Sequence, residues 1–93
     1  MANNNSGLIK TGSNTLSTTA EPLTTDNVPC TYLLLYNSDP AINMLYGDEI
    51  LQEVVLKASD PPLLLPVTNA NQIWIKSASG TPAVKWHAYN RDI

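Results

Sequence analysis

The feature that most limits what this chain can fold into is its punctuation: apolar residues come in short bursts, and residues that turn a backbone end each burst. From Val28 on, CTYLLLY, NMLY, EVVLKA, PLLLPV, QIWIKS and AVKWHAY are separated by Pro, Gly, Asn, Ser and Asp. Bursts of about four to eight residues bounded in this way read as strands, whereas a helix burying one face needs about ten or more. The spacing predicts strands at residues 30–36, 43–46, 53–58, 62–67, 72–77 and 83–89. Turns are expected at 37–40, 47–48, 59–61, 69–71 and 78–81. There Gly permits positive φ, Pro fixes φ, and Asn, Asp and Ser bond back to nearby backbone. One segment fits either period: in GDEILQE, residues 47–53, the spacing of Ile50 and Leu51 with the following Val54 suits a helical turn as well as a loop, and the loop is preferred.

Period-two alternation assigns the faces. Ile73 and Ile75 point one way and Gln72, Trp74 and Lys76 the other, while Val84, Trp86 and Ala88 oppose Lys85, His87 and Tyr89. The last two strands are expected to pair as a hairpin through Ser79-Gly80. Ile73, Ile75, Val84 and Trp86 then form a core face against Leu33, Leu35, Val54, Leu56, Leu63 and Leu65 of a facing sheet. CTYLLLY has no unique register because Leu33, Leu34 and Leu35 are all apolar, so it is either buried on both faces or turned toward a partner on one. With 93 residues the chain holds one core. The expected fold is all-β, a small antiparallel β-sandwich of about seven strands, jelly-roll-like or immunoglobulin-like.

The opening 27 residues are about half Asn, Ser and Thr and bury too little to offset the entropy of ordering them. Residues 1–15 are therefore expected to be a flexible N-terminal arm, and residues 16–93 the β-sandwich domain. The arm either frays or orders on a neighbouring subunit. Leu16, Thr18, Ala20 and Leu23 predict a weak strand that Pro22 places at a sheet edge.

Charge and composition exclude several functions. Five Lys and Arg against eight Asp and Glu give a net charge of −3, which argues against nucleic acid and anionic lipid as partners. No apolar run approaches the roughly 20 residues of a membrane-spanning helix, and residues 1–20 lack the pattern of a signal peptide, so the expectation is a soluble protein made in the cytoplasm. One Cys forbids an internal disulfide and one His forbids a site built on two imidazoles. His87 on a strand is expected to face solvent, and Cys30 to be an inert buried thiol. Asp48, Glu49 and Glu53 cluster after Gly47 but lack the ligand spacing of a calcium loop and read as a solvated loop. No catalytic residue, metal ligand or cofactor is assigned, and the protein is expected not to be an enzyme.

The surface aromatics carry more information. With Ile73 and Ile75 inward, Trp74 faces outward, where a large ring either meets a partner, stacks on a sugar or is covered by the arm or a loop. Tyr89, with either Tyr32 or Tyr36, would extend the patch, and Leu8 and Ile9 are candidate contacts in the arm. A core of this size is marginal without disulfide or metal, so a homo-oligomer, with a trimer favoured, or docking on a lattice is the expected supplement.

The order VPCTYLLLYN, NMLYGD and PPLLLPVTNANQIWIKSASGTPAVKWHAYN, spanning residues 28–89, resembles a group of small structural proteins of tailed bacteriophages. In that group a Pro-Cys opens an apolar strand, a YGD-like step follows, a turn leads into a Leu-rich strand, and an IWI-like strand with a Gly hairpin closes the domain. Pro29 and Cys30, Tyr46 to Asp48, Leu63 to Pro66 and Ile73 to Ile75 match those steps. Between Gly47 and Pro61, DEILQEVVLKASDP stands where the group has a Gly-rich run. The resemblance implies a virion component on the capsid exterior. It would be a capsid decoration or cement protein bound to the phage major capsid protein, or else a neck or tail accessory piece. A carbohydrate-binding or host-attachment module using Trp74 with Tyr89 is the alternative from another class.

Overall fold

The computed structural model describes residues 8–90. The chain is all-β: β1 (Leu8–Thr15), β2 (Glu21–Pro22), β3 (Tyr32–Asn37), β4 (Met44–Gly47), β5 (Gln52–Leu56), β6 (Leu63–Leu65), β7 (Trp74–Ser77) and β8 (Ala83–Asn90). A 3-10 turn, Ala70–Gln72, precedes β7. The strands form two four-stranded sheets, a first in the order β1-β8-β3-β6 and a second in the order β2-β7-β4-β5. Every neighbouring pair is antiparallel. The core is shared by both: Leu33, Leu35, Val84, Trp86 and Ala88 come from the first sheet, Met44, Leu56 and Ile75 from the second, and Leu16, Leu23, Val28 and Ile73 from the segments between. This is the small β-sandwich that the apolar bursts require.

The ends of the predicted strands move for identifiable reasons. Cys30 does not begin β3, because its N–H donates to the Thr68 carbonyl (2.9 Å) beside an isolated bridge between Pro29 and Asn69. The GDEILQE segment is a turn followed by β5. The Asp48 carboxylate accepts from the Ile50 and Leu51 N–H groups (2.9 and 2.8 Å), and a bulge between Tyr46 and Gly47 resets the ladder.

Three expectations are corrected. First, residues 72–77 and 83–89 do not form a hairpin: β7 lies in the second sheet and β8 in the first, so Ala78–Pro82 crosses between layers. Alternation fixes which side chains face the core but is satisfied equally by pairing in one sheet or by opposing across two. Here the crossing is held by Leu16 and Ser17. The Leu16 N–H donates to Pro82 O and the Ser17 carbonyl accepts from the Ser77 N–H, both at 2.8 Å. Second, Leu33, Leu35, Leu63 and Leu65 share a sheet with Val84 and Trp86 rather than facing them, and Val54, on the inward phase of edge strand β5, remains 52% exposed.

Third, the flexible arm expected over residues 1–15 does not hold for residues 8–15. Residues 8–15 are β1, paired with β8 along the whole of both strands; residues 1–7 lie outside the described set. A polar strand holds there because Gly12 lies opposite Trp86 with the indole over its Cα. A Cβ on Gly12 would collide with the Trp86 indole. Asn14 completes the attachment, its Oδ1 accepting from Trp86 Nε1 (3.3 Å) and its Nδ2 donating to the Leu23 carbonyl (2.6 Å). The weak strand expected around Leu16–Leu23 contracts to β2, and Pro22 does sit at a sheet edge.

Candidate interaction surface

Two Leu triplets build the surface. A strand alternates its side chains, so a run of three leucines must turn either the central one or the outer two away from the core. In β3 Leu33 and Leu35 are fully buried and Leu34 points out; in β6 Leu64 points out and is 56% exposed. Leu34 and Leu64 are partners in register, so the outward leucines meet. Across the first sheet this outer face runs in three rows: Ile9–Tyr89–Tyr32, then Thr11–His87–Leu34–Leu64, then Ser13–Lys85–Tyr36. The Tyr32 and Tyr89 rings lie 5.1 Å apart, tilted by 38°, and His87 lies 6.3 Å from Tyr89. Ile9 and Tyr36 are exposed at opposite ends. Lys85 is the one Lys, Arg, Asp or Glu in these rows.

Such a face combines aromatic rings, aliphatic side chains and little charge, the composition of the central part of a protein interface. Tyr supplies large, stiff contact area at low entropic cost and a hydroxyl that pairs at the rim.

The candidate residues divide between the layers. Tyr32, Tyr36, Tyr89 and Ile9 share the outer face of the first sheet, and both Tyr32 and Tyr36 flank β8 rather than one in place of the other. Trp74 does not join them. It is half-buried on the second sheet, in register between Pro22 and Gly47, so a patch containing Trp74 and Tyr89 together is corrected. Leu8 opens β1 opposite Asn90, and only its backbone belongs to the described residues. Leu34, Leu64 and His87 complete the face. The signal for the two leucines was present in the sequence as the repeated triplet, which had left the register of CTYLLLY open.

The reactive side chains are placed as strand and loop residues. Cys30 is buried, its Sγ donating to the Val67 carbonyl (3.3 Å), and desolvation pushes its thiol above the ordinary value of 9.0. Asp48 closes a turn whose backbone carbonyl also accepts from the buried Gln52 amide (2.7 Å), so the acidic cluster is organised by its own loop. Among the described residues no group of three or more His, Cys, Asp or Glu side chains is gathered as a metal site. The comparisons with family models, characterised proteins and solved structures find no match to this chain.

Proposed function

We propose that this protein is a non-enzymatic structural module that docks on a protein surface through the outer face of the β1-β8-β3-β6 sheet. The observation that carries the reading is the contiguous row arrangement of Ile9, Tyr89, Tyr32, Leu34, Leu64 and Tyr36 on that one face. The resemblance of residues 28–89 to small structural proteins of tailed phages gives the specific form: a decoration protein on the capsid exterior, seated on the major capsid protein. Many copies, each contributing modest buried area, would together reinforce the shell. A neck or tail accessory role uses the same face at low copy number. The carbohydrate reading was built on Trp74 together with Tyr89, and those two residues lie on different sheets.

The test is occupancy on purified phage particles, measured by quantitative mass spectrometry against the coat protein. The wild-type chain is expected in fixed proportion to coat, and Leu64→Lys to lower occupancy at least ten-fold while the circular-dichroism spectrum holds. Unchanged occupancy of a folded Leu64→Lys chain refutes the docking face, and a few copies per particle assigns the neck or tail.

A further inference from the structure

The four sheet edges are not protected alike. An open edge strand invites pairing with another strand unless it is short, interrupted by Pro or charged. β2 is two residues long and contains Pro22; β6 is three residues long and lies between Pro62 and Pro66. The described part of β1 is largely polar, with Lys10, Thr11, Ser13, Asn14 and Thr15 along it. β5 has no Pro, and Val54 and Val55, on its two opposite faces, are 52% and 48% exposed. Just before it, Ile50 is 87% exposed.

The register identifies the backbone groups this edge presents. Asn43 O accepts from the Ala78 N–H (3.0 Å), and Leu45 pairs with Lys76, so odd residues of β4 turn their backbone groups toward β7 and even residues toward β5. Met44 and Tyr46 therefore bond to Leu56 and Val54, which leaves the C=O of Glu53 and the N–H and C=O of Val55 directed away from the sheet, with the bulge that pairs Gly47 to Gln52 beginning at the Glu53 N–H. Turns bound this short edge at both ends. Asp48 N–H donates to Leu51 O, and Lys57 exchanges bonds with Asp60 through its N–H and its carbonyl.

We infer that β5 pairs with β5 of a second copy of this chain, antiparallel, about a two-fold axis through Val54. In that register Glu53 of each copy lies opposite Val55 of the other, and the Glu53 C=O of each copy accepts from the Val55 N–H of the other, so the outward groups of one edge meet those of the other. Neither turn needs to open. A second copy fits better than an arbitrary peptide because the edge is self-complementary in length, in direction and in which residues point out. Val54, which has the phase of a core residue without a core around it, meets its counterpart on the axis. Leu51 comes opposite Lys57 of the other copy, whose aliphatic stem covers it. The charges offset: the diagonal neighbours of Glu53 across the new pairing are one Lys57 and one Glu53. The dimer is closed at two, unlike the trimer expected from the sequence, and it leaves the docking face of the first sheet free.

The test uses the full chain with Val54→Cys, since a non-hydrogen-bonded antiparallel pair places its Cα atoms about 4.5 Å apart, within disulfide reach. Under mild oxidation Val54→Cys should convert to a covalent dimer at least ten times faster than Val55→Cys, and the wild-type chain, whose Cys30 is buried, should stay uncrosslinked. Val55→Pro removes one outward N–H and leaves the ladder to β4 intact, so it should weaken association at least ten-fold in sedimentation velocity with an unchanged circular-dichroism spectrum. A wild-type chain that remains monomeric at millimolar concentration overturns the inference. So does a dimer or trimer that folded Val55→Pro leaves unaltered, or equal crosslinking at positions 54 and 55.

Discussion

The two sheets reach the same layered architecture by different means. In the first, β8 is a long central strand whose register with β1 runs unbroken from Ala83 to Asn90 and with β3 from Val84 to Tyr89. In the second, the ladders are short, one carries a bulge, and side chains close the surrounding turns onto backbone. The Asn37 amide donates to the Ile42 and Leu56 carbonyls (2.9 and 3.0 Å), tying the end of β3 to β5 in the other layer. Asp39 accepts from the Ala41 and Ile42 N–H groups, Asp60 from Lys57, and Asn43 from Ala58. The first sheet is thus ordered by alternation and ladder length, and the second by polar tethers that substitute for ladder length.

Substitutions can break or sharpen that contrast. The largest effect is expected at Trp86, 4% exposed at the centre of the first sheet, where Trp86→Ala should cost about 3–5 kcal/mol in urea unfolding, enough to unfold a marginal domain. If polar tethers matter in the way described, Asn37→Ala should follow with about 1–3 kcal/mol, because it removes the buried amide that bonds the Ile42 and Leu56 carbonyls and ties the two layers. An effect near zero at Asn37 would remove the distinction between the sheets. Gly12→Ala tests whether β1 belongs to the folded sheet: the added Cβ collides with the indole, so about 1–3 kcal/mol should be lost. A free arm would tolerate it without change.

Smaller again, Tyr36→Ser on the outer face should alter stability by no more than about 0.5 kcal/mol while lowering particle occupancy, separating docking from folding. The smallest effect is alkaline. Burial raises the Cys30 and Tyr46 values above 9.0 and 10.0, so the folded chain keeps protons that the unfolded chain releases. Their contribution is full below the unfolded values and declines as pH rises through the folded ones, visible as a melting temperature that begins to fall above about pH 9.

The same contrast explains what could be read from residue order. Alternation in IWI and AVKWHA was sufficient to bury Ile73, Ile75, Val84 and Trp86 and to expose Lys85, and the turn chemistry at Asn37, Gly47 and Ser59 marked strand ends within a few residues. Pairing partners were not legible, because nothing in a period of two says whether the next strand lies beside or across. β1 was hidden for a different reason. The described side chains on its inward phase are Lys10, which stays exposed, Gly12, valued for lacking a side chain, and Asn14, valued for hydrogen bonds to Trp86 and Leu23, and none registers as apolar periodicity. Alternation puts Trp74 and Tyr89 each on an outer face, but it does not say whether those faces belong to one sheet, and here they belong to two.

Cryo-electron microscopy of purified phage particles carrying this chain tests the proposed docking most directly. The expected result is a small two-layered density in fixed proportion to coat subunits, seated on the capsid exterior with Ile9, Tyr32, Leu64 and Tyr36 against the coat protein. A particle lacking that density, or one in which the β1-β8-β3-β6 face points to solvent while another surface meets the coat, would contradict it.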